Sequence, residues 1–304
     1  MKHTQIAIVG AGAVGVTAAY ALLLNQVGGE ILLVDINTEH TAGEILDLQD
    51  AAGFTNFSGV RQATLAEAAS ADLVIVTAGI AQHPGQTRID LLQENANVMK
   101  RIATGLENLS PSSVVLVASN PVDVMTQCLQ HFLPLPKNQV IGSGTLLDSQ
   151  RFRGFIAETL NISTSSIHAF ILGEHGDSQF PAWSLAQISG VPLSNYPGID
   201  TEKQQYIADK TKRKAYEIIN LKGATYYGIA SCISKIASCI LNNKRQILPV
   251  SSYIDTLGTC LSLPVIVGEQ GASQPLPIHL SASEKRSLEA SAALIKKSFH
   301  ALTL

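Results

Sequence analysis

A histidine set among glycines, in Gly173-Glu-His175-Gly-Asp-Ser178 after the apolar pair Ile171-Leu172, is the first feature of this chain equipped for chemistry. Imidazole titrates near neutral pH, and neighbouring glycines let the backbone turn sharply and let a small molecule approach the ring. The pattern suits an exposed proton donor and acceptor, although a lone loop histidine without a role has the same appearance. Asp148 and Arg151 lie three apart in Leu147-Asp-Ser-Gln-Arg-Phe-Arg153, on one face of a helix. Taken alone they read as a surface ion pair of little energetic weight. Arg88 closes the stretch Ile80-Ala-Gln-His-Pro-Gly-Gln-Thr-Arg, which precedes a long amphipathic helix beginning near Ile89. Such a loop can serve as a lid that excludes water and carries Gln82 and Arg88 over a bound substrate. The alternative is an ordinary surface loop with a solvated arginine.

The elements that must position these groups read as a nucleotide-binding frame. The short apolar strand Ile6–Val9 runs into Gly10-Ala-Gly12-Ala-Val14-Gly15, and a helical run follows from Val16 to Leu24. GxGxxG is a weak signal by itself; a strand before and a helix after give it meaning. Gly10 permits the tight turn, Gly12 lets backbone approach a pyrophosphate at the helix amino terminus, and Gly15 lets helix and sheet pack closely. Gly28-Gly29 is expected to end the helix. The next strand, Ile31–Val34, finishes on Asp35, twenty positions after Gly15. A carboxylate there accepts hydrogen bonds from a ribose diol and repels a 2′-phosphate, which predicts NAD rather than NADP. Two further apolar strands, Leu73–Ala78 and Val114–Ala118, alternate with helices and imply a parallel sheet covered on both faces. Ligands gather beyond the carboxyl ends of such strands, which adds Ala78, Gly79, Ser119 and Asn120 to the cofactor cleft.

Composition narrows the field. With 304 residues, the chain is expected to form two domains, 1–143 for the nucleotide and 144–304 for catalysis. A net charge of -3 offers no basic field for nucleic acid or an anionic membrane. No apolar run approaches the ~20 residues that span a bilayer, and the amino terminus enters a strand without a charged-then-apolar leader, so a cytoplasmic location is expected. Cys128, Cys232, Cys239 and Cys260 form no CxxC pair. They are expected to be buried free thiols, with no metal site.

The motifs VGAGAVG, TAGIAQHPGQTR, SNPVDV (119–124), GSGTLLDSQRFR (142–153), GEHGDS (173–178) and LKGATYYGIA (221–230) together resemble the L-lactate/L-malate dehydrogenase family, in its order and over essentially the whole chain. The resemblance implies an α/β fold, a Rossmann doubly wound parallel sheet with a second α+β catalytic domain. It also implies hydride transfer between a nicotinamide and the second carbon of a 2-keto or 2-hydroxy acid, with His175 exchanging the proton. On this resemblance Asp148 holds the histidine, Arg151 grips the substrate carboxylate, Arg88 polarises the carbonyl, and Asn120 bonds near the same oxygen or the nicotinamide ribose. Gln82, with Thr225 and Ile229 beyond it, marks the lactate branch of the family, since the malate branch carries arginine at that place. Larger branched 2-hydroxy acids, and malate itself, remain alternatives. Arg153 and His168 coincide with positions that bind fructose 1,6-bisphosphate across a subunit interface in bacterial lactate dehydrogenases; helix-surface and packed-strand roles are the alternatives. A homotetramer is implied. Ile80, His83 and Gln86 depart from the commoner choices in the lid. Rival readings are a non-catalytic NAD-binding protein and an NAD- and metal-dependent glycosidase.

Overall fold

The computed structural model describes residues 4–57, 59–80 and 87–304, with the backbone alone of Arg88. Strand and helix alternate through the first half: β1 (Gln5–Val9), α1 (Ala13–Leu24), β2 (Glu30–Val34), α2 (Thr38–Ala52), β3 (Gly59–Gln62), α3 (Leu65–Ala68), β4 (Leu73–Val76), α4 (Arg88–Gly105), β5 (Val114–Val117), α5 (Val122–Phe132) and β6 (Val140–Gly142). These strands pair in parallel in the order β6-β5-β4-β1-β2-β3. The order reverses between β1 and β4, and the crevice of a doubly wound sheet opens at that switch point.

Side-chain alternation explains why such runs as Leu73-Val-Ile-Val76 are apolar at every position. Ala7, Val9, Val74 and Val76 point into one buried cluster with Met99 and Met125, whereas Ile6, Ile8, Leu73 and Ile75 point into another with Leu22 and Ile236. Successive residues of a strand face opposite ways, so a sheet covered on both sides needs apolar residues at both. Each fully buried Leu or Ile contributes roughly 1.5–3 kcal/mol.

The second half begins with α6 (Leu146–Leu160), continues through the short strands β7 (Ile167–His168), β8 (Ile171–Leu172), β9 (Phe180–Pro181), β10 (Gln187–Ile188) and β11 (Val191–Pro192), and then α7 (Thr201–Lys222) and α8 (Tyr227–Leu241). It closes with β12 (Gln246–Ile254), β13 (Thr259–Gly268), β14 (Gly271–Pro275) and α9 (Ala282–His300). β12 lies antiparallel to β6 through Ser251 and Gly142, so β12, β13 and β14 extend the parallel sheet rather than forming a sheet of their own. This is the Rossmann-type α/β sheet with an α+β second half. A separate apolar cluster around Phe152, Ile167 and Ile207 underlies the short strands.

Helix α1 ends earlier than the glycine pair suggests. Asn25 caps it and Gln26 takes φ +51°, leaving Gly28 at φ +91° to turn the chain into β2. The charged helix α7 ends at Lys222, where Gly223 stops it at φ +85°. Ser281 and Glu284 form the reciprocal capping box that opens α9. All four cysteines are free and buried. Among the described residues no helix is long and apolar enough to cross a membrane, and no cluster of His, Cys, Asp and Glu is arranged to hold a metal.

Candidate active site

The glycine loop between β1 and α1 has the shape of a phosphate cradle. Gly10 takes φ +108°, and a Cβ there would lie 2.6 Å from the backbone nitrogen of Ala78. A Cβ on Gly15 would drive into the carbonyl oxygen of Gly10. Over Gly12, by contrast, a Cβ would meet nothing within 4 Å. Gly10 therefore serves the close approach of the loop to the end of β4, Gly15 that of the helix to the loop, and Gly12 leaves open space in front of the helix. Gly12 is the N-cap, with no side-chain cap bond and no acidic residue in the first turn. Free N–H groups and the positive end of the helix dipole are left toward that space, as a pyrophosphate requires. Val14 is half-buried in the same turn.

Asp35 stands at the end of β2, where Oδ2 accepts the Ala11 N–H at 2.7 Å and Oδ1 accepts the Asn37 N–H at 2.9 Å. These bonds orient the carboxylate beside the glycine loop. An ionised carboxylate has about four acceptor positions, so room remains for a ribose diol. Ala78 and Gly79 follow β4, and Ser119 at the end of β5 donates to the Ala78 carbonyl at 2.5 Å. Asn120 comes next, exposed at the crevice rim before a cis bond to Pro121. The residues present fit a dinucleotide with a free 2′-hydroxyl.

The proton site is assembled from α6 and the loop after β8. His175 Nδ1 lies 2.6 Å from Asp148 Oδ2, and Asp148 Oδ1 accepts Arg151 at 3.2 Å. The pair that could have been a surface ion bridge is thus an interior one. The side chains of Asp148 and Arg151 are 3% and 8% exposed, but that of His175 is 28% exposed, so the ring is the most open of the three to a small molecule. Its Nδ1 is occupied by the carboxylate, which leaves Nε2 as the exchanging atom. Burial disfavours charge on the imidazole, but the Asp148 carboxylate outweighs it and raises the His175 pKa above its ordinary 6.5. Burial likewise pushes Asp148 up, and the attraction of His175 and Arg151 overcomes it, so this carboxyl sits below its ordinary 3.8.

Local hydrogen bonds explain why the pair meets. Thr145 and Ser149, in the first turns of α6, both donate to the Ile171 carbonyl, at 2.5 and 3.3 Å, and the Ile171 N–H donates back to Ser149 at 2.9 Å. Gly173 exchanges backbone hydrogen bonds with Ser262 of β13. Glu174 is tied by its N–H to Ser291 of α9 at 2.7 Å. The histidine loop is therefore held to α6, β13 and α9 before it reaches the ring.

The other expected residues fall as follows. Gln82 lies outside the described residues, as does the side chain of Arg88, whose backbone opens α4 behind the N-cap Thr87. Thr225 is half-buried between α7 and α8, and Ile229 packs against the α1 side of the sheet. Arg153 and His168 line one cleft of about 880 Å³ with Gln187, Lys235 and Gln246. Two residues escaped sequence reading. Asn95, buried on α4, accepts the Ile80 N–H at 2.8 Å and donates to the Ile80 carbonyl at 3.3 Å, holding the chain that leaves β4. Asp123, buried at the start of α5, accepts the His175 N–H at 2.8 Å and the Ser251 hydroxyl at 2.6 Å. An acid three places after the crevice asparagine, in a helix with no other Asp, Glu, Lys or Arg, was the available signal.

A dinucleotide crevice bordered by a carboxylate-held, solvent-reachable histidine defines a nicotinamide-dependent dehydrogenase. Residues 4–142 match the family model "lactate/malate dehydrogenase, NAD binding domain", and residues 145–303 match "lactate/malate dehydrogenase, alpha/beta C-terminal domain". The chain belongs to the lactate/malate dehydrogenase family. It is 40% identical over 300 residues to L-lactate dehydrogenase A of Rhizopus oryzae, covering 99% of this chain and 91% of that one. It is also 40% identical over 303 residues to L-lactate dehydrogenase of Lacticaseibacillus casei, covering 97% and 93%. The ligand-bound structure of the minor L-lactate dehydrogenase from Enterococcus mundtii superposes with a TM-score of 0.96 at 37% identity, over 100% of both chains.

Proposed function

We propose that this protein is an NAD-dependent L-lactate dehydrogenase that interconverts pyruvate and L-lactate. The observation that carries the reading is the 2.6 Å contact between His175 Nδ1 and Asp148, beside Arg151 and behind a NAD-type crevice. NAD, when bound, supplies or accepts the hydride at the second carbon of the substrate. In the reducing direction His175 gives its Nε2 proton to the carbonyl oxygen, and Asp148 keeps the ring in the right tautomer and stabilises the imidazolium. The Arg151 guanidinium matches the substrate carboxylate with two parallel hydrogen bonds. Arg88 polarises the carbonyl, and Asn120 bonds near the same oxygen or the nicotinamide ribose. Gly10, Gly12, Val14, Gly15, Asp35, Ala78, Gly79 and Ile229 form the cofactor's surroundings, while Gln82 and Thr225 shape the end of the substrate pocket. Glutamine suits a methyl group, whereas a second carboxylate would be left unpaired in a dry pocket.

General acid catalysis is worth ~10²- to 10⁴-fold in rate. His175→Asn is therefore expected to lower NADH-dependent pyruvate reduction by about that factor while NADH binding, read by fluorescence, stays near normal. Near-normal turnover in this variant would remove His175 from its role.

A second ligand is favoured by the cleft that Arg153 and His168 share. An arginine and a histidine at one cleft, doubled in a homotetramer, suit the phosphates of fructose 1,6-bisphosphate. The bisphosphate is expected to raise pyruvate turnover or promote assembly, and Arg153→Gln to abolish the response; a titration without effect on either would dismiss it.

A further inference from the structure

We propose that Asp123 is a second, hidden carboxylate of the proton site, a positioning residue that fixes the backbone of His175 and, when ionised, favours positive charge on its ring. The inference rests on the reading of His175 as the proton donor. Asp123 is 1% exposed. One of its oxygens accepts the His175 N–H and the other accepts the Ser251 hydroxyl, so it ties the catalytic loop to α5 and β12 at once.

Geometry by itself does not call for a carboxylate at this place. An asparagine of the same shape would accept the His175 N–H on its carbonyl and donate its amide to the Ser251 oxygen. The ionised acid is also the harder residue to bury: loss of solvent pushes the Asp123 carboxyl up to about 6, against the two hydrogen bonds that lower it. What aspartate offers beyond asparagine is therefore its charge, set in the first turn of α5 where the helix dipole favours an anion. The groups facing His175 are Asp148 and Arg151 from α6 and Asp123 from α5, and the first and third favour the imidazolium. Asp123 in turn faces Ser251 of β12, Glu174 of the histidine loop and the Cys260 thiol of β13. Asp148 orients the ring through a direct contact, whereas Asp123 acts on it from behind, through backbone and field.

The test is an NMR titration of the His175 ring in the free protein, its signal assigned with His175→Asn, beside the pH profile of kcat/KM for pyruvate reduction. Asp123→Asn is expected to fold with unchanged or higher thermal stability near neutral pH, and to lower the His175 titration midpoint by about one pH unit. The pH at which reduction declines falls by the same amount. Ser251→Ala, which removes one hydrogen bond from the ionised carboxylate, moves the midpoint the same way by a smaller step. An unmoved midpoint in Asp123→Asn, or in Ser251→Ala should the first variant fail to fold, overturns the proposal. If the wild-type protein does not reduce pyruvate, the functional reading falls while the titration still decides the role of Asp123.

Discussion

His175 and Asp148 are each shifted by the other against the pull of burial, and that mutual shift sets the pH behaviour of the reaction. The imidazole pKa lies above 6.5 because the Asp148 carboxylate outweighs desolvation. Reduction of pyruvate needs the protonated ring, so its kcat/KM is expected to be flat at low pH and to fall tenfold per unit as pH rises through the His175 value. Oxidation of lactate needs the neutral ring, and its kcat/KM rises through the same midpoint. Profiles measured in both directions check the sign; a reduction rate that climbs with pH would contradict it. Burial pushes the Cys128 and Cys232 thiols up to about 12, which keeps both protonated and unreactive at neutral pH.

Among the elements, the loop between β1 and α1 separates packing from binding. Gly15→Ala forces a methyl group into the Gly10 carbonyl, and is expected to destabilise the fold by roughly 1–3 kcal/mol or more, seen as a lower denaturant midpoint. Gly12→Ala meets open space within the chain, so its stability should match the wild type, but the methyl group occupies the space in front of the helix and should weaken NADH binding about tenfold or more, ~1.4 kcal/mol. Calorimetry with NADH on the two variants separates these effects. This loop was legible in the sequence because strand, glycines and helix are contiguous, and the apolar strands β1, β2, β4 and β5 were legible for the same local reason. Less was legible where distant segments decide. β3 is half polar and half exposed, β6 is only three residues long, and β12 joins β6 through a contact between Ser251 and Gly142 that no local pattern announces. Gly28-Gly29 misled because Asn25 and Gln26 had already stopped α1. Asp148 looked like a surface residue until the hydrogen bonds of Thr145 and Ser149 to Ile171 drew α6 against the histidine loop. Asp123 and Asn95 were missed because each acts on the backbone of a residue far along the chain.

Across the whole molecule, one sheet carries both halves of the site. Its parallel strands end at Gly10, Asp35, Ala78 and Asn120, and its antiparallel extension holds the catalytic loop through Ser262 to Gly173 and through Ser251 to Asp123. The cofactor crevice and the histidine loop therefore share a frame, and on the proposed reading the choice of substrate is left to Gln82 and Thr225. A pocket of this kind separates neighbouring apolar acids by only ~1–3 kcal/mol per methylene, and rejects a second carboxylate more strongly. The most direct measurement is the catalytic efficiency of NADH oxidation with pyruvate, 2-ketoisocaproate and oxaloacetate as parallel substrates. The L-lactate dehydrogenase reading predicts pyruvate first, with oxaloacetate lower by about tenfold or more and gaining ground in Gln82→Arg. Oxaloacetate ahead of pyruvate in the wild-type protein would contradict it.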